Sequence, residues 1–494
     1  MFLYLCGEIK RIFMNSIIGR EKEIKELNKL YDSGKAEFVA VYGRRRVGKT
    51  YLIDSFFGDK LTFRHAGLSP VDAKQGKNLL MEQLQNFHIS LQRYGAENTK
   101  QPKSWMEAFF LLEQWLETQN KKQRWVVFLD EMPWMDTPRS GFITALEAFW
   151  NGWGCRQSNL LLIVCGSASS WIQNNLINNH GGLYDRITYE IKLSPFTLKE
   201  CEEFYKQKNI RLSRYDIVQA YMMLGGVPYY LGYMQKGLSL AQNVDEIFFA
   251  PKAKLRDEFH RLFLSVFSQP EEVKQIVKLL ASRHIGFTRS EISKALGMSG
   301  GGLTTMLRAL EESDFILHYV PFGCSQREVH YKLIDPFCLF YLRFVESNGN
   351  KNADFWKENV ASQGVSSWRG IAFEEVCLNH IRQIKRALGV EGVKSTQSSW
   401  TLRGDTETEG TQIDLLIDRA DNVVNLCEMK FYQDEFTIDK TYFRTLQNRQ
   451  NRLIEALPKR KVVHAVLITT YGLTYNEYSG FFLHTITLDD LFSN

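Results

Sequence analysis

No window of this chain approaches the ~20 consecutive apolar residues that a membrane-spanning helix requires, so no membrane partner is expected. The amino-terminal run MFLYLCGEIKRIF is too short and too interrupted by charge for a secretory signal, and the expected location is the cytoplasm. Cysteine is sparse as well. Its eight residues are scattered singly, with no Cys-x-x-Cys pair and no histidine spacing that suggests zinc, which excludes a disulfide scaffold and a zinc module and points to buried free thiols. Excess charge of either sign is also lacking: the formal net charge is +5. That value permits a nucleic-acid partner without arguing for one, because such a footprint depends on clustering and not on the sum.

What is present is an ordinary globular composition, 44% hydrophobic and 24% charged, over 494 residues. At ~100–200 residues per domain this length predicts two to four domains. Met14 precedes NSIIGREKEI, so residues 1–16 read as an extension or a misassigned start.

The strongest local signal is VYGRRRVGKTYLI. The apolar run EFVAVYG reads as a strand, KTYLIDSFF as the start of a buried helix, and Gly43, Gly48, Lys49 and Thr50 between them complete G-x-x-x-x-G-K-T. The chemistry needs these residue types. The glycines let backbone N–H groups of residues 43–50 (Gly43, Arg44, Arg45, Arg46, Val47, Gly48, Lys49, Thr50) turn toward phosphates at a helix N-terminus. Lys49 can reach the β- and γ-phosphates of ATP and Thr50 can ligate Mg²⁺. The side chains of Arg44 to Arg46 are expected to point outward or toward a neighbouring domain. A second strand, RWVVFLDEMPWM, ends in Asp130 and Glu131: the first would hold Mg²⁺ through water, the second would orient and deprotonate the attacking water. A third, NLLLIVCGSASSWI, supplies Ser167 and Ser169 near the γ-phosphate. Before the strand YEIKLSPF lies Arg186, which is either a γ-phosphate contact, in cis or across the subunit boundary of a homo-oligomer, or a structural arginine on a solvated turn.

In order, IIGREKEIKEL, GRRRVGKT, LDEMPW, CGSASS, LYDRITYEIKLSPFTLKE and LGGVPYYL resemble the archaeal-type AAA+ ATPases and their STAND and origin-recognition-like relatives over residues 17–240. The resemblance implies a P-loop core over 17–195 and a helical lid over 196–250. In that lid Gly225, Gly226, Val227 and Pro228 would lie near the adenine, although helix-end chemistry also accounts for the paired glycines.

Beyond Pro251, PEEVKQIVKLLASR, TRSEISKALG and GGLTTMLRALEESDFI are amphipathic helices, followed by the strand pair LHYVPFG and EVHYKLID. That order predicts a winged helix over 251–346, a unit the resembling family also often carries here. Its third helix, starting at Ser299, carries Arg308 against Glu311 and Glu312, a poor complement for a DNA groove. Contact with the ATPase or a partner protein is the competing use.

Over 347–494, WRGIAFEEVCLNHIRQIKRAL is a helix bearing Glu374 and Glu375, and KSTQSSWTLRGDTETEG a strand with a mobile loop. QIDLLIDR and VVNLCEMKF form a hairpin through the turn ADN. Asp414 sits on the first of these strands and Glu428 and Lys430 on the second, the latter two on one face. Two acids can hold Mg²⁺ while a lysine activates water or stabilises charge on a phosphate. Glu-x-Lys alone is uninformative, since it recurs at Glu8, Glu23, Glu190 and Glu272. The order helix-Glu, strand-Asp, strand-Glu-x-Lys resembles the PD-(D/E)xK constellation of restriction-endonuclease-like nucleases, with Ile413 where the name-giving proline stands. The resemblance implies catalytic roles for Glu374, Asp414, Glu428 and Lys430, metal ligation by Asp414 and Glu428, and an accessory Gln447. The fold class expected is therefore α/β: a P-loop AAA+ parallel sheet with helical lid, then a winged helix, then an α/β endonuclease-like domain. The function expected is an ATPase coupled to a nuclease-like domain acting on DNA or RNA. Its alternatives are a STAND-type switch with an inactive docking domain, and a DNA-binding regulator.

Overall fold

The computed structural model describes residues 17–69, 79–179, 181–264, 266–267, 269–325, 328–348, 352–402 and 411–493. The expected extension over 1–16 and the loop over 403–410 lie outside the described residues. The chain divides into two compact units. One is built from residues up to 195 with 260–271 and 308–314; the other comprises 196–259, 272–307 and 315 onward.

The first unit is organised by five strands: β1 (Glu37–Tyr42), β2 (Leu61–Ala66), β3 (Trp125–Asp130), β4 (Leu160–Gly166) and β5 (Tyr189–Lys192). They pair in parallel in the order β2-β3-β4-β1-β5. Every residue of β1, β3 and β4 is buried, which is why EFVAVY, WVVFLD and LLLIVCG read as unbroken apolar runs: a parallel sheet is covered on both faces. The period of two still shows in the packing. Phe38, Ala40, Val127, Leu129, Leu162 and Val164 face a core built with the helices Leu79–Arg93, Trp105–Glu117 and Phe142–Gly152. Val39, Val41, Val126, Phe128, Leu161 and Ile163 face the helices Glu21–Tyr31 and Lys49–Phe57.

Along the second unit run the helices Leu198–Gln207 and Arg214–Leu224, the first opened by a Thr197–Glu200 capping box. Helix Arg214–Leu224 ends at Gly225, and Gly226 follows with φ 64°, where an added Cβ would meet the carbonyl oxygen of Phe196 at 2.2 Å. Farther on come helices Pro270–Ala281, Arg289–Leu296 and Gly300–Glu312. Strands β6 (Phe287–Thr288), β7 (Ile316–Tyr319) and β8 (His330–Leu333) form an antiparallel sheet in the order β6-β8-β7.

The remaining strands, β9 (Ser395–Leu402), β10 (Thr411–Arg419), β11 (Val423–Lys430), β12 (Val462–Thr469) and β13 (His484–Ile486), make a mixed sheet in the order β13-β12-β11-β10-β9. β9, β10 and β11 are antiparallel, and β11, β12 and β13 parallel. The β10–β11 pairing runs from Leu415–Cys427 to Asp418–Val424, while Glu428 to Lys430 are registered against Leu467 to Thr469 of β12. On its other side β10 slips register against β9 between Ile413 and Leu416. The fold is thus mixed α/β: a five-stranded parallel sheet followed by a further α/β sheet region.

Candidate functional site

The strand order explains the first site. β4 separates β1 from β3, and the strands are parallel, so the loops leaving β1, β4 and β3 emerge side by side at one edge. Residues 43–48 follow β1, Ser167 follows β4, and Asp130 and Glu131 close β3.

Gly43 has φ 140°, and a Cβ there would lie 2.2 Å from the carbonyl oxygen of Leu193. The backbone of the loop therefore passes too close to the chain after β5 for any side chain. Arg46 (φ 72°) and Gly48 (φ 95°) are also left-handed, curling the loop back on itself before the helix Lys49–Phe57 begins. The Lys49 ammonium donates to the carbonyl oxygens of Gly43 (2.9 Å) and Arg44 (3.0 Å) and to Ser167 Oγ (3.1 Å), so its three N–H bonds point into the cup of the loop. Ser167 passes this contact on. Its Oγ donates to Glu131 Oε1 at 2.7 Å and its N–H to Oε2 at 3.1 Å. Beside this chain Thr50 Oγ1 donates to Asp130 Oδ2 at 2.9 Å, and the Glu131 N–H to Asp130 Oδ1 at 3.0 Å. Burial, and then the neighbouring Glu131, push the Asp130 carboxyl up from the usual carboxylate range. A hydroxyl and a buried carboxylate with two oxygens turned to one point suit a hard divalent cation, so the donor set of Thr50 and Asp130 fits Mg²⁺.

Arg44 is 1% exposed, so of the two directions expected for these arginines, outward or toward a neighbouring domain, the outward one does not describe it. Arg45 and Arg46 are half-buried, and Arg45 Nη1 donates to the carbonyl oxygen of Arg261 at 3.5 Å. Val47 is buried with the apolar core, and Ser169 is buried where it opens the short helix Ser169–Ile172. Arg186 is exposed on the turn before β5. Two residues escaped the sequence reading. Arg20, within IIGREKEIKEL, donates to the carbonyl oxygens of Ser194 (2.8 Å) and Val47 (3.4 Å). Arg64 binds both oxygens of Asp54 (2.9 and 3.1 Å) and stands 3.7 Å from Asp130. The motif-like context of Arg20 was a usable signal; Arg64, on a short half-buried strand, offered none.

The structure divides the C-terminal constellation in two. Glu428, 8% exposed, accepts from Arg449 Nη1 (2.9 Å) and the Tyr442 hydroxyl and lies 3.0 Å from Lys430 Nζ. Burial alone would raise its carboxyl, but Lys430 and Arg449 outweigh it and the net shift is downward. Asp414 instead accepts from Gln412 Nε2 (2.6 Å) and belongs to a group with Glu374 and His284 whose ligand atoms all lie within 4.8 Å of one another. Burial first, and Asp414 next to it, raise the Glu374 carboxyl above its usual range, against the opposing hydrogen bond from His284.

The two carboxylates expected to share a metal thus have different partners, Asp414 with His284 and Glu374, Glu428 with Lys430 and Arg449. Val424, Leu426 and Glu428 alternate onto the face covered by the helix Lys440–Ala456, where Leu453 packs with Ile413 and Leu416. With Ile413 and Leu416 both on that face, the two residues between them cannot alternate regularly, and Asp414 falls within this irregularity. Gln447, expected as an accessory residue, is exposed, and its neighbours Tyr442 and Arg449 make the contacts to Glu428.

Residues 17–234 match the family described as an ATPase domain predominantly from Archaea. An uncharacterised protein of Methanocaldococcus jannaschii is 24% identical over 376 residues, which cover 75% of this chain and 78% of that protein. Among solved structures, the Walker-type ATPase of Pyrococcus abyssi aligns with a TM-score of 0.46 at 19% identity, over 66% of this chain and 96% of that one. The ORC2 protein of Aeropyrum pernix, solved in ADPNP and ADP complexes, aligns with a TM-score of 0.35 at 13% identity, over 72% of this chain and 95% of that one. The family match spans the P-loop, the acids closing β3 and Ser167, so the stretch from 17 to 234 is similar to ATPase domains of archaeal type.

Proposed function

We propose that the chain is an ATP-hydrolysing switch of the AAA+ kind, in which the nucleotide state of the P-loop sets the activity of the C-terminal α/β region. The observation that carries this reading is the continuous contact Lys49–Ser167–Glu131 beside the pair Thr50–Asp130. Backbone N–H groups of residues 43–50 would take the phosphates and Lys49 would turn its ammonium from loop carbonyls to the β- and γ-phosphate oxygens. Mg²⁺, held by Thr50 and Asp130, would neutralise charge developing on the phosphates. Glu131 would accept the proton of the attacking water, and Ser167 holds that carboxylate in place. Arg186, exposed on its turn, is available to a γ-phosphate of a neighbouring copy in a homo-oligomer.

We read the helices and small sheet over 251–346 as a winged helix, used for contact with a protein partner in preference to DNA. A docking role for the last region is favoured by the ion pairing of Glu428 with both Lys430 and Arg449, while Asp414 is grouped with His284 and Glu374. A second reading, a PD-(D/E)xK nuclease acting on DNA or RNA, draws on the strand order β13-β12-β11-β10-β9 and on the approach of Glu374 to Asp414. One experiment separates them. Phosphate release should be abolished in Lys49→Ala and retained in Lys430→Ala. Incubating wild type with single- and double-stranded DNA and RNA, in Mg²⁺ or Mn²⁺, should give no cleavage on the docking reading. Metal-dependent cleavage lost in Lys430→Ala would establish the nuclease instead, and an inert P-loop would sink both.

A further inference from the structure

His284 has no part in either reading, yet it stands between two carboxylates. Its Nε2 is hydrogen-bonded to Glu374 Oε2, and its Nδ1 lies 3.7 Å from Glu375 Oε1. Asp414 completes the group on the Nε2 side, with ligand atoms of all three residues mutually within 4.8 Å. Three donors around one ion at ~2.0–2.2 Å sit ~3.3–3.6 Å apart, so small rotamer adjustments would bring this group to coordination geometry.

We propose that His284, Glu374 and Asp414 bind one divalent transition cation, and we commit to Zn²⁺. Four further observations support a ligand here. Glu375 is 1% exposed and its Oε1 lies 3.7 Å from the second imidazole nitrogen, beyond hydrogen-bond length but placed to orient a metal-bound histidine once the ring shifts. Lys332 Nζ, 2.7 Å from Glu375, holds that second carboxylate in turn. Beside the group opens a cavity of about 260 Å³, lined by His284, Lys332, Ser398 and Asp414 among others, which gives a cation an open coordination position. The Ser398 Oγ on its wall is buried and has no hydrogen-bond partner among the described residues. Charge points the same way. The carboxylates of Glu374, Glu375 and Asp414 outnumber the single ammonium of Lys332 by two, the charge of the ion. Imidazole with two carboxylates suits zinc and its neighbours, whereas Mg²⁺ prefers an all-oxygen shell.

The assignment uses Asp414 without Glu428 and so does not depend on the nuclease reading. Full-length protein, stripped with a chelator, would be titrated with Zn²⁺ against a chromogenic competitor and with Co²⁺ by visible absorption. One equivalent of each is expected, with Co²⁺ bands typical of nitrogen–oxygen ligation. His284→Ala, and the near-isosteric Asp414→Asn, should each weaken Zn²⁺ binding by at least about 100-fold, a loss larger than or equal to that of an outer-shell change. Glu428→Gln should bind as wild type does, with circular dichroism checking that each variant is folded. No stoichiometric Zn²⁺ uptake by the wild type, or unchanged uptake by Asp414→Asn, would overturn the proposal. Loss of binding in folded Glu428→Gln would overturn it too, by placing the ion on the Asp414–Glu428 pair.

Discussion

Ser167 is the residue through which the lysine and the acid of the P-loop site feel each other. Its hydroxyl accepts from Lys49 and donates to Glu131, so movement of the ammonium toward a phosphate withdraws a partner from the group holding the carboxylate. On this geometry Glu131→Gln keeps the size of the side chain and one acceptor oxygen toward Ser167 but cannot take a proton. Hydrolysis should fall by about 10²–10⁴-fold while ATP binding, measured by equilibrium fluorescence, stays within a factor of about three. A parallel loss of binding would assign Glu131 to the nucleotide pocket instead. Lys49, Thr50, Asp130 and Glu131 were legible in the sequence because phosphate and Mg²⁺ chemistry restricts both residue type and spacing. Arg20, Arg64 and His284 were not. Each acts through a contact 10 to 174 residues away, as Arg64–Asp54 and Arg20–Ser194 illustrate; the motif around Arg20 marks the residue but not its distant partner, and Arg64 and His284 have no local pattern at all.

The elements differ in the same way. The buried runs of β1, β3 and β4 and the hairpin β10–β11 could be read from apolar content and turn residues, because a strand buried on both faces has no other composition open to it. β2 and β13, with mixed burial, gave no such signal. Nor did the slip in β10: IDLL is compatible with strict alternation, and only packing of Ile413 and Leu416 on one face reveals the extra residue. At the turn from β1, Gly43→Ala is expected to be costly, since its Cβ would overlap the Leu193 carbonyl and φ 140° disfavours any L side chain. A loss of ~1–3 kcal/mol in unfolding free energy is expected, with ATP binding impaired beyond what the lost stability accounts for. Wild-type binding in Gly43→Ala would show that the loop relaxes freely.

For the molecule as a whole, two buried histidines contribute to the response to acid. Burial, reinforced by Arg64, holds His65 down at about 3; burial holds His380 down at about 4, its Nε2 accepting from the Leu198 N–H and its Nδ1–H donating to the Val376 carbonyl. Both are neutral in the folded chain and protonate in the unfolded one near pH 6.5. The unfolded state therefore binds more protons, and their contribution is present above pH 6.5 and lost as pH falls toward 4. On the order of 2 kcal/mol per histidine should be gone by pH 5. One residue lies in each compact unit, so urea unfolding at pH 7 and pH 5 should show both units weakened. His380→Gln, which keeps a donor and an acceptor, should flatten that dependence for the second unit alone. The same unit contains the fork where β10 leaves β11 before Leu415, with Asp414 on one prong and Glu428 on the other. Asp414 precedes the β10–β11 register and is gathered with His284 and Glu374, while Glu428 is laddered to β12, so each carboxylate answers to its own neighbours and a change at one should leave the surroundings of the other in place.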